Sequence, residues 1–299
     1  MTPFQRRMLR RAMPWIFMAV FLAIWEIACV AFAVEEIILP RPSRIFAVIV
    51  QRADILVDFC LETLWTTLIG FAIAIVGGLL LGLLIGASPF IYSGLYPLLI
   101  AFNAIPKVAI VPILMIWVGV GALPAIITAC VISFFPIVVN VATGLATIEP
   151  EMRDVLRSLG ATQTEILTKV GIPRAMPYLF ASLKISITLA FIGTVISETV
   201  GGNRGIGFLM LSASARNDAA TTFAGLFAIA VMGILMYAAC AMIERRMTRW
   251  ASRGSDQKSL AAARTSSRAA SASLPVMSKT PQEVLDALLE HSDLTLQLL

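Results

Sequence analysis

Few residues of this chain could do chemistry, and their spacing limits what that chemistry is. The single histidine, His291, lies in the tail, and the four cysteines are scattered, mostly inside apolar runs. The sequence contains no carboxylate pair, no nucleophile beside a base, no cluster of metal ligands and no G-x-x-x-x-G-K-[ST] phosphate loop. We therefore expect no catalytic residue, no metal site and no cofactor in this chain.

Three polar residues in apolar runs are candidates for contact with a solute. Lys107 lies between Pro106 and Pro112, where the prolines interrupt an apolar segment, and Asn103 lies one turn before it. Broken helices are tolerated in membranes where protein or an aqueous cavity surrounds the freed backbone groups. Lys107 is either a snorkelling side chain or part of a solute path. Asn140, in the next apolar run, is either a solute contact or a hydrogen-bonding residue between helices.

Two acidic residues also lie in apolar runs. Glu26 interrupts residues 12–34, and Glu198 is near the end of residues 177–200. An ionisable residue inside a membrane is a functional candidate by default. For Glu26 we favour packing against other helices of the bundle.

A polar stretch, residues 147–173, lies between the apolar runs and begins with a helix signal. Thr147 can cap this helix, and Pro150 falls in its first turn, where a missing N–H is harmless. Gly160 ends the helix, because a residue just past a helix often needs positive φ. The apolar stripe of this helix consists of Met152, Val155, Leu156 and Leu159.

A second short helix follows in the same stretch. Thr162 and Glu165 form an S/T-x-x-E capping box, and we expect Gly171 and Pro173 to stop the helix. Its apolar residues are Ile166, Leu167 and Val170. Two amphipathic helices outside the apolar runs offer a compact apolar face to a partner protein, in the manner of a helix that docks into a groove.

The composition identifies the class of protein around these residues. The chain has 299 residues, of which 59% are hydrophobic and 14% charged, and its mean hydropathy is +0.88. These values predict an all-α membrane protein with several spans. The pI near 9.3 does not indicate nucleic-acid binding, because the basic residues flank apolar spans without interleaved aromatic residues.

The apolar runs predict six transmembrane helices. Their approximate ranges are 12–34, 64–86, 91–118, 124–145, 177–200 and 222–243. The first run could also be read as a secretory signal, although its length favours a span. An amphipathic helix from Ser43 to about Asp58 is expected at the outer interface. Gly78, Gly82 and Gly86 form a row of small residues for close helix packing.

The basic residues predict the orientation. The N-terminal arm carries four Lys and Arg residues, the 147–174 segment four and the 244–258 segment five, against three in 35–60 and two in 200–218. Positive charge concentrates on the cytoplasmic side, so both termini and the polar stretch are expected there.

The expected organisation has three parts. Residues 1–60 contain the N-terminal arm, the first span and the outer interfacial segment, and residues 61–250 form a core that includes the 147–173 loop. Residues 251–299 are expected to form a cytoplasmic tail that is partly disordered. A short helix expected at 281–291 within this tail either docks onto another surface or has no role.

The polar stretch resembles a known family. Its core fits the consensus E-A-A-x(3)-G-x(9)-I-x-L-P of binding-protein-dependent ABC importer permeases. The matching residues are Asp154-Val155-Leu156, Gly160, Val170, Ile172 and Pro173. Further motifs in order are Trp25-Glu26, Leu39-Pro40-Arg41-Pro42-Ser43, Ile105-Pro106, Val111-Pro112-Ile113-Leu114, Trp117-Val118-Gly119, Phe134-Phe135-Pro136, and Glu198 with Gly205-Ile206-Gly207-Phe208. Over residues 14–250 the chain looks like the nitrate, taurine and aliphatic-sulfonate branch.

The resemblance implies an importer-type ABC permease fold in the bacterial inner membrane, with a second permease copy, cytoplasmic ATPase subunits that bind ATP, and an extracytoplasmic binding protein. The implied solute is nitrate, taurine, a sulfonate or a similar small molecule. The implied ATPase-docking residues are Met152, Asp154, Val155, Leu156, Leu159, Gly160, Ile166, Val170 and Pro173. Asp154, Val155 and Leu156 depart from the Glu-Ala-Ala of the family and should select the partner.

Two alternatives belong to other classes. A stand-alone secondary transporter or channel would carry paired intramembrane charges or an inverted repeat, whereas this sequence shows one broken span and no matching repeat. A scaffold or receptor whose loop only recruits a partner would move no solute.

Overall fold

A computed structural model describes residues 3–146 and 150–247, and these residues form helices joined by turns. The predicted cap at Thr147 and the predictions for the tail, including the helix at 281–291, lie outside the described residues.

The helices follow one another along the chain with short connections. The first six are α1 (Pro3–Ala31), α2 (Pro42–Gln51), α3 (Ala53–Ala87), α4 (Pro89–Ala104), α5 (Val111–Val118) and α6 (Ala122–Ala146). The last five are α7 (Pro150–Ser158), α8 (Gln163–Ile166), α9 (Ile172–Gly201), α10 (Ile206–Ala215) and α11 (Ala219–Met247). We call the end of the bundle that carries α7 and α8 the loop end, and the opposite end the outer end.

Within residues 3–146 and 150–247, five helical segments are long and apolar enough to cross a membrane, and the broken span is a sixth if its two bent halves form one crossing. The broken span consists of α4 and α5, joined through a 3₁₀ turn at Lys107–Ile110 and bent by 73°. The predicted all-α fold with six spans is therefore confirmed when this bent pair counts as one crossing.

The predicted boundary between the interfacial helix and the second span was wrong. The interfacial helix α2 ends at Gln51, and Ala53–Asp58 already belongs to α3, which has 35 residues. At 1.5 Å per residue α3 is about 52 Å long, more than the ~30 Å of a bilayer core. The polar residues at its start were assigned to an interfacial helix, whereas they form the first turns of this long helix.

The centre of the bundle is the contact between α3 and α6. The α3 positions buried here are Gly70, Ala74, Gly78, Gly82 and Gly86. A Cβ atom at Gly82 would lie 2.7 Å from the Cβ of Val141, and one at Gly86 would lie 2.7 Å from the Cβ of Leu145. The predicted row of small residues is thus confirmed as a close packing surface.

The other face of α6 packs against α9. Gly144 approaches Ala175 near the loop end, and Gly193 of α9 approaches the carbonyl of Thr128 near the outer end. On its far side, α9 contacts α11 through an ion pair of 2.8 Å between Lys184 and Glu244. Because α9 lies between these two helices, it is buried over much of its length.

Glu26 closes the N-terminus of α2. The backbone N–H of Ser43 donates to Oε2 of Glu26 over 3.0 Å, and the Ser43 hydroxyl donates to Oε1 over 2.8 Å. A carboxylate satisfies the free N–H groups at a helix N-terminus and suits the helix dipole. Glu26 therefore has a structural role within the bundle, as favoured from the sequence.

Arg52 connects α2 and α3 to the start of α11 at the outer end. Its guanidinium donates to Asp218 over 3.0 Å and to the Thr221 hydroxyl over 2.7 Å. Burial alone would raise the pKa of Asp218, but hydrogen bonds from Thr221 and Arg52 hold this pKa below its ordinary value.

We predict that Gly82→Ala destabilises the chain, because the added methyl group would overlap Val141. The expected loss is about 1–3 kcal/mol of unfolding free energy, seen as a lower melting temperature of the purified chain in detergent. Gly94→Ala is the matched control, since a Cβ atom there meets nothing within 4 Å. Equal melting temperatures for the two variants would contradict close packing of α3 on α6.

Candidate functional site

The turn that joins α7 to α8 depends on Gly160, whose φ is +84°. The N–H of Gly160 donates to the carbonyl of Arg157 over 2.9 Å, and the N–H of Ala161 donates to that of Leu156 over 3.0 Å. This pair of bonds is the Schellman arrangement, which closes the C-terminus of a helix. The prediction that Gly160 ends the first loop helix is confirmed.

Glu165 holds the second loop helix in place. Its carboxylate accepts from the N–H of Thr162 over 3.0 Å, while the Thr162 hydroxyl accepts from the N–H of Glu165 over 3.3 Å, so the predicted capping box is confirmed. Lys169 donates to the other oxygen of the same carboxylate over 3.0 Å. Arg157 of α7 donates to Gln163 of α8 over 3.0 Å and thereby links the two helices.

The prediction that Gly171 and Pro173 stop the second helix was wrong. A π-helical turn, Leu167–Gly171, leads from α8 directly into α9, and the N–H of Ile172 donates to the carbonyl of Leu167. The wider turn accommodates the Pro173 ring, which in a regular helix would clash with the carbonyl four residues earlier. The second loop helix and the fifth span are therefore one nearly continuous helical segment.

A groove of about 270 Å³ opens between α7 and α8. It is lined by Leu156, Leu159, Gly160, Ala161, Glu165, Ile166, Lys169 and Val170. We call this surface the loop groove. Its floor is formed by Ile166, which is 3% exposed, and its rim by Leu159, which is 78% exposed. Leu159 is exposed beside the other apolar residues of this groove, and a continuous apolar surface of this kind is typical of an interaction site.

The loop groove contains five of the nine predicted docking residues, and the remaining four lie outside it. Val155 is 59% exposed, Asp154 is also exposed, and Met152 is half-buried. Pro173 lies at the start of α9. The stripe predicted along α7 is therefore divided, with Leu156 and Leu159 lining the groove and Val155 projecting from the exposed surface.

The break between α4 and α5 brings Asn103 and Lys107 together. The ammonium group of Lys107 donates to the side-chain oxygen of Asn103 over 2.8 Å and to its backbone carbonyl over 3.2 Å. It also lies 4.8 Å from the centre of the Phe135 ring of α6. The ammonium group thus satisfies a backbone carbonyl in the last turn of α4, where a cation suits the helix dipole, and makes a cation–π contact.

Asn140 is engaged elsewhere. Its side-chain amide donates to the carbonyl of Pro136, one turn earlier in its own helix, over 2.8 Å. Of the three predicted path residues, the structure therefore pairs only Asn103 and Lys107.

Sequence reasoning missed several contacts of these two sites. The pair Glu165–Lys169 was detectable, because acidic and basic residues four apart on a helix face each other. The contact of Lys107 with Phe135 and the link from Arg157 to Gln163 depend on how separate helices meet, and no local pattern indicates them.

The chain is similar to known proteins of one family. The family described as "Binding-protein-dependent transport system inner membrane component" matches residues 74–249. The formylaminopyrimidine transport permease protein ThiX of Halalkalibacterium halodurans is 30% identical over 238 residues, covering 79% of this chain and 95% of that protein.

Two further relatives are more distant. The taurine transport system permease protein TauC of Escherichia coli is 25% identical over 241 residues, covering 78% of this chain and 87% of TauC. The nitrate import permease protein NrtB of Synechocystis is 27% identical over 245 residues, covering 77% and 87%.

Among solved structures, a chain of the MetNI methionine ABC transporter, described as inward facing, has the same fold. The TM-score is 0.58 at 23% identity, and the match covers 66% of this chain and 97% of that chain.

We predict that Glu165→Gln loosens the loop, because the change weakens both the capping box and the pair with Lys169. The expected cost is about 1 kcal/mol, measured as faster amide hydrogen exchange over residues 160–171. Glu151→Gln is the control, because it removes an exposed acid from the first turn of α7. Unchanged exchange in Glu165→Gln would contradict this role.

Proposed function

We propose that the loop groove receives motion from ATPase subunits, because this chain belongs to the family of inner membrane components of binding-protein-dependent transport systems. The chain is a multi-pass permease of the bacterial inner membrane and a subunit of an ATP-driven importer, with the importer-type permease fold. It is a transport subunit and not itself an enzyme. The family favours this function over a stand-alone secondary transporter, a channel or a scaffold.

The observation that carries the proposal is an apolar groove exposed on a firmly braced loop. Leu159 and Val155 expose most of their side chains, although both helices are held by capping bonds and by the link from Arg157 to Gln163. A surface that must transmit force has to be rigid and must also bind its partner firmly. The hydrogen bonds of the loop support the first requirement and its exposed apolar side chains support the second, and Asp154, Val155 and Leu156 would select the partner subunit.

The route from the loop groove into the membrane is short. α8 continues through the π-helical turn into α9, which spans the bundle. A displacement of the docked helices would therefore move α9 directly, with no flexible connection between them. α9 would transmit that displacement to α6, against which it packs through Gly144 and Gly193.

The assembly we propose contains two permease copies, two cytoplasmic ATPase subunits that bind ATP, and an extracytoplasmic binding protein. The excess of Lys and Arg at the loop end supports a cytoplasmic position for the loop and both termini. The path would open alternately to each side as the ATPases close and separate.

The solute we propose is nitrate, taurine, another sulfonate or a similar small molecule. This rests on the relatives, which are described as permeases for taurine, nitrate and formylaminopyrimidine. Within the chain, Asn103, Lys107 and Asn140 are the proposed path residues. The paired position of Lys107 and Asn103 at a break in the span supports a role in contacting a polar solute.

We predict that Gly160→Asp leaves membrane insertion intact but abolishes uptake and solute-stimulated ATP hydrolysis. The change forces an ordinary residue into positive φ and adds a charge beside the loop groove. Both quantities are measured in proteoliposomes that contain the permease, its ATPase and its loaded binding protein.

The matched control for this prediction is Ser158→Asp, which adds the same charge two residues earlier, within the helical part of α7. We expect this control to retain uptake. Normal solute-stimulated hydrolysis in Gly160→Asp complexes would contradict the docking role. ATP-independent uptake by the purified chain would instead support a stand-alone transporter.

We predict that Lys107→Gln lowers uptake about tenfold, because a charge-assisted contact is lost, while stimulated ATP hydrolysis persists. Lys107→Arg keeps the charge and should retain more uptake. The measurement is uptake of labelled taurine or nitrate in the same proteoliposomes. Unaltered uptake by Lys107→Gln would contradict a role in contacting solute and would leave Lys107 only the structural role of binding the last turn of α4.

A further inference from the structure

Glu198 lies at the outer end of α9 and is 3% exposed, although it carries a carboxyl group. The backbone N–H of Gly207, in the first turn of α10, donates to its Oε2 over 3.1 Å. The hydroxyl of Thr63, from α3, donates to the same oxygen over 2.9 Å. One carboxyl oxygen therefore joins three helices.

Thr63 adds a second connection to α10. Its hydroxyl accepts from the backbone N–H of Ile206 over 2.8 Å while it donates to Glu198. Two of the free N–H groups at the start of α10 are thus satisfied by side chains from two other helices. The N-terminus of α10 has no side-chain cap of its own, so its position depends on Glu198 and Thr63.

The connector from α9 to α10, residues 202–205, and the first turn of α10 fit closely around this carboxyl group. Gly205 has a φ of +90°, and a Cβ atom at this position would overlap the Glu198 carboxyl. A Cβ atom at Gly207 would lie 2.9 Å from the Cβ of Glu198. The glycines in this segment allow the backbone to pass against the acid, which a larger residue would prevent.

The same connector lies beside the outer end of the broken span. A Cβ atom at Gly201 would meet the side chain of Met115 in α5, and one at Gly121, in the turn after α5, would lie 3.9 Å from the side-chain oxygen of Asn203. The C-terminus of α9 therefore meets α5, the second half of the broken span, and the connector lies beside the turn that follows α5. The middle of α10 approaches α11, where a Cβ atom at Gly225 would meet the side chain of Met210.

We propose that Glu198 is a positioning residue for transport: it fastens the connector 202–205 and α10 to α9 and α3, so that this outer segment moves with α9 and controls access to the broken span. This inference rests on the proposed function, since it states which outer segment moves when the ATPase subunits displace the loop groove. The continuous helical segment from α8 through α9 places the docking surface and Glu198 near opposite ends of one structural unit.

A purely static role of these hydrogen bonds would stabilise the fold without affecting the coupling of hydrolysis to uptake. The difference is measurable because α3 and α9 share a second bond of the same kind. The hydroxyl of Thr67, one turn further into the bundle, lies 2.7 Å from the backbone carbonyl of Thr63 and 3.0 Å from the hydroxyl of Thr194, and neither contact involves α10 or the Thr63 side chain. Thr67→Val is therefore a matched control for Thr63→Val.

The experiment compares Glu198→Ala, Glu198→Gln, Thr63→Val and Thr67→Val in proteoliposomes with the ATPase and the binding protein. We expect Glu198→Ala and Thr63→Val to lower solute taken up per ATP hydrolysed by about tenfold. Glu198→Gln keeps an acceptor oxygen and should restore most of the ratio, and Thr67→Val should leave it unchanged. Equal loss in Thr67→Val and Thr63→Val, or equal loss in Glu198→Gln and Glu198→Ala, would overturn the proposal.

A second measurement follows the outer segment itself. A cysteine replacing Leu211 of α10, which is 46% exposed, is labelled with a membrane-impermeant maleimide, with the chain lacking this cysteine as background. ATP should change the labelling rate in the otherwise unaltered complex, and Glu198→Ala should abolish that change. A persisting ATP response in Glu198→Ala would overturn the role of Glu198. Failure of the unaltered complex to import solute with ATP would instead overturn the proposed function.

Discussion

The close contact between α3 and α6 is the constraint on which the rest of the bundle depends. Inside a bilayer, lipid chains are as apolar as leucine, so helices associate through fit and hydrogen bonds rather than through escape from water. The small residues of α3 let the two backbones approach until a single methyl group would overlap Val141 or Leu145. With α6 fixed in this way, its opposite face positions α9, and α9 in turn positions the loop groove and α10.

Local signals made the loop predictable from sequence, whereas contacts between separate helices left no pattern in the sequence. Thr162 with Glu165, and Gly160 after an amphipathic stripe, act within a few residues, so their geometry could be read directly. The spacing of the α3 glycines is equally local. The groove between α7 and α8 depends on how two helices meet, and only its apolar residues could be named in advance.

The wrong and missing predictions have identifiable physical causes. Pro173 is a strong stop signal, but a π-helical turn removed the clash that makes proline a helix breaker. α10 was not predicted, because it is short and follows a glycine-rich segment that reads as a loop. The partnership of Glu198 with Thr63 joins residues 135 positions apart, and nothing in one sequence connects them.

Both acids inside the apolar runs find backbone N–H groups close by in the chain. Glu26 meets the N–H of Ser43, 17 residues later, and Glu198 meets that of Gly207, 9 residues later. During synthesis, each acid can therefore gain a backbone hydrogen-bond donor as soon as the following short helix forms. The distant partner of Glu198, Thr63, precedes it in the chain, so the residues that donate hydrogen bonds to these two acids can all be present once the short helix after each acid has formed.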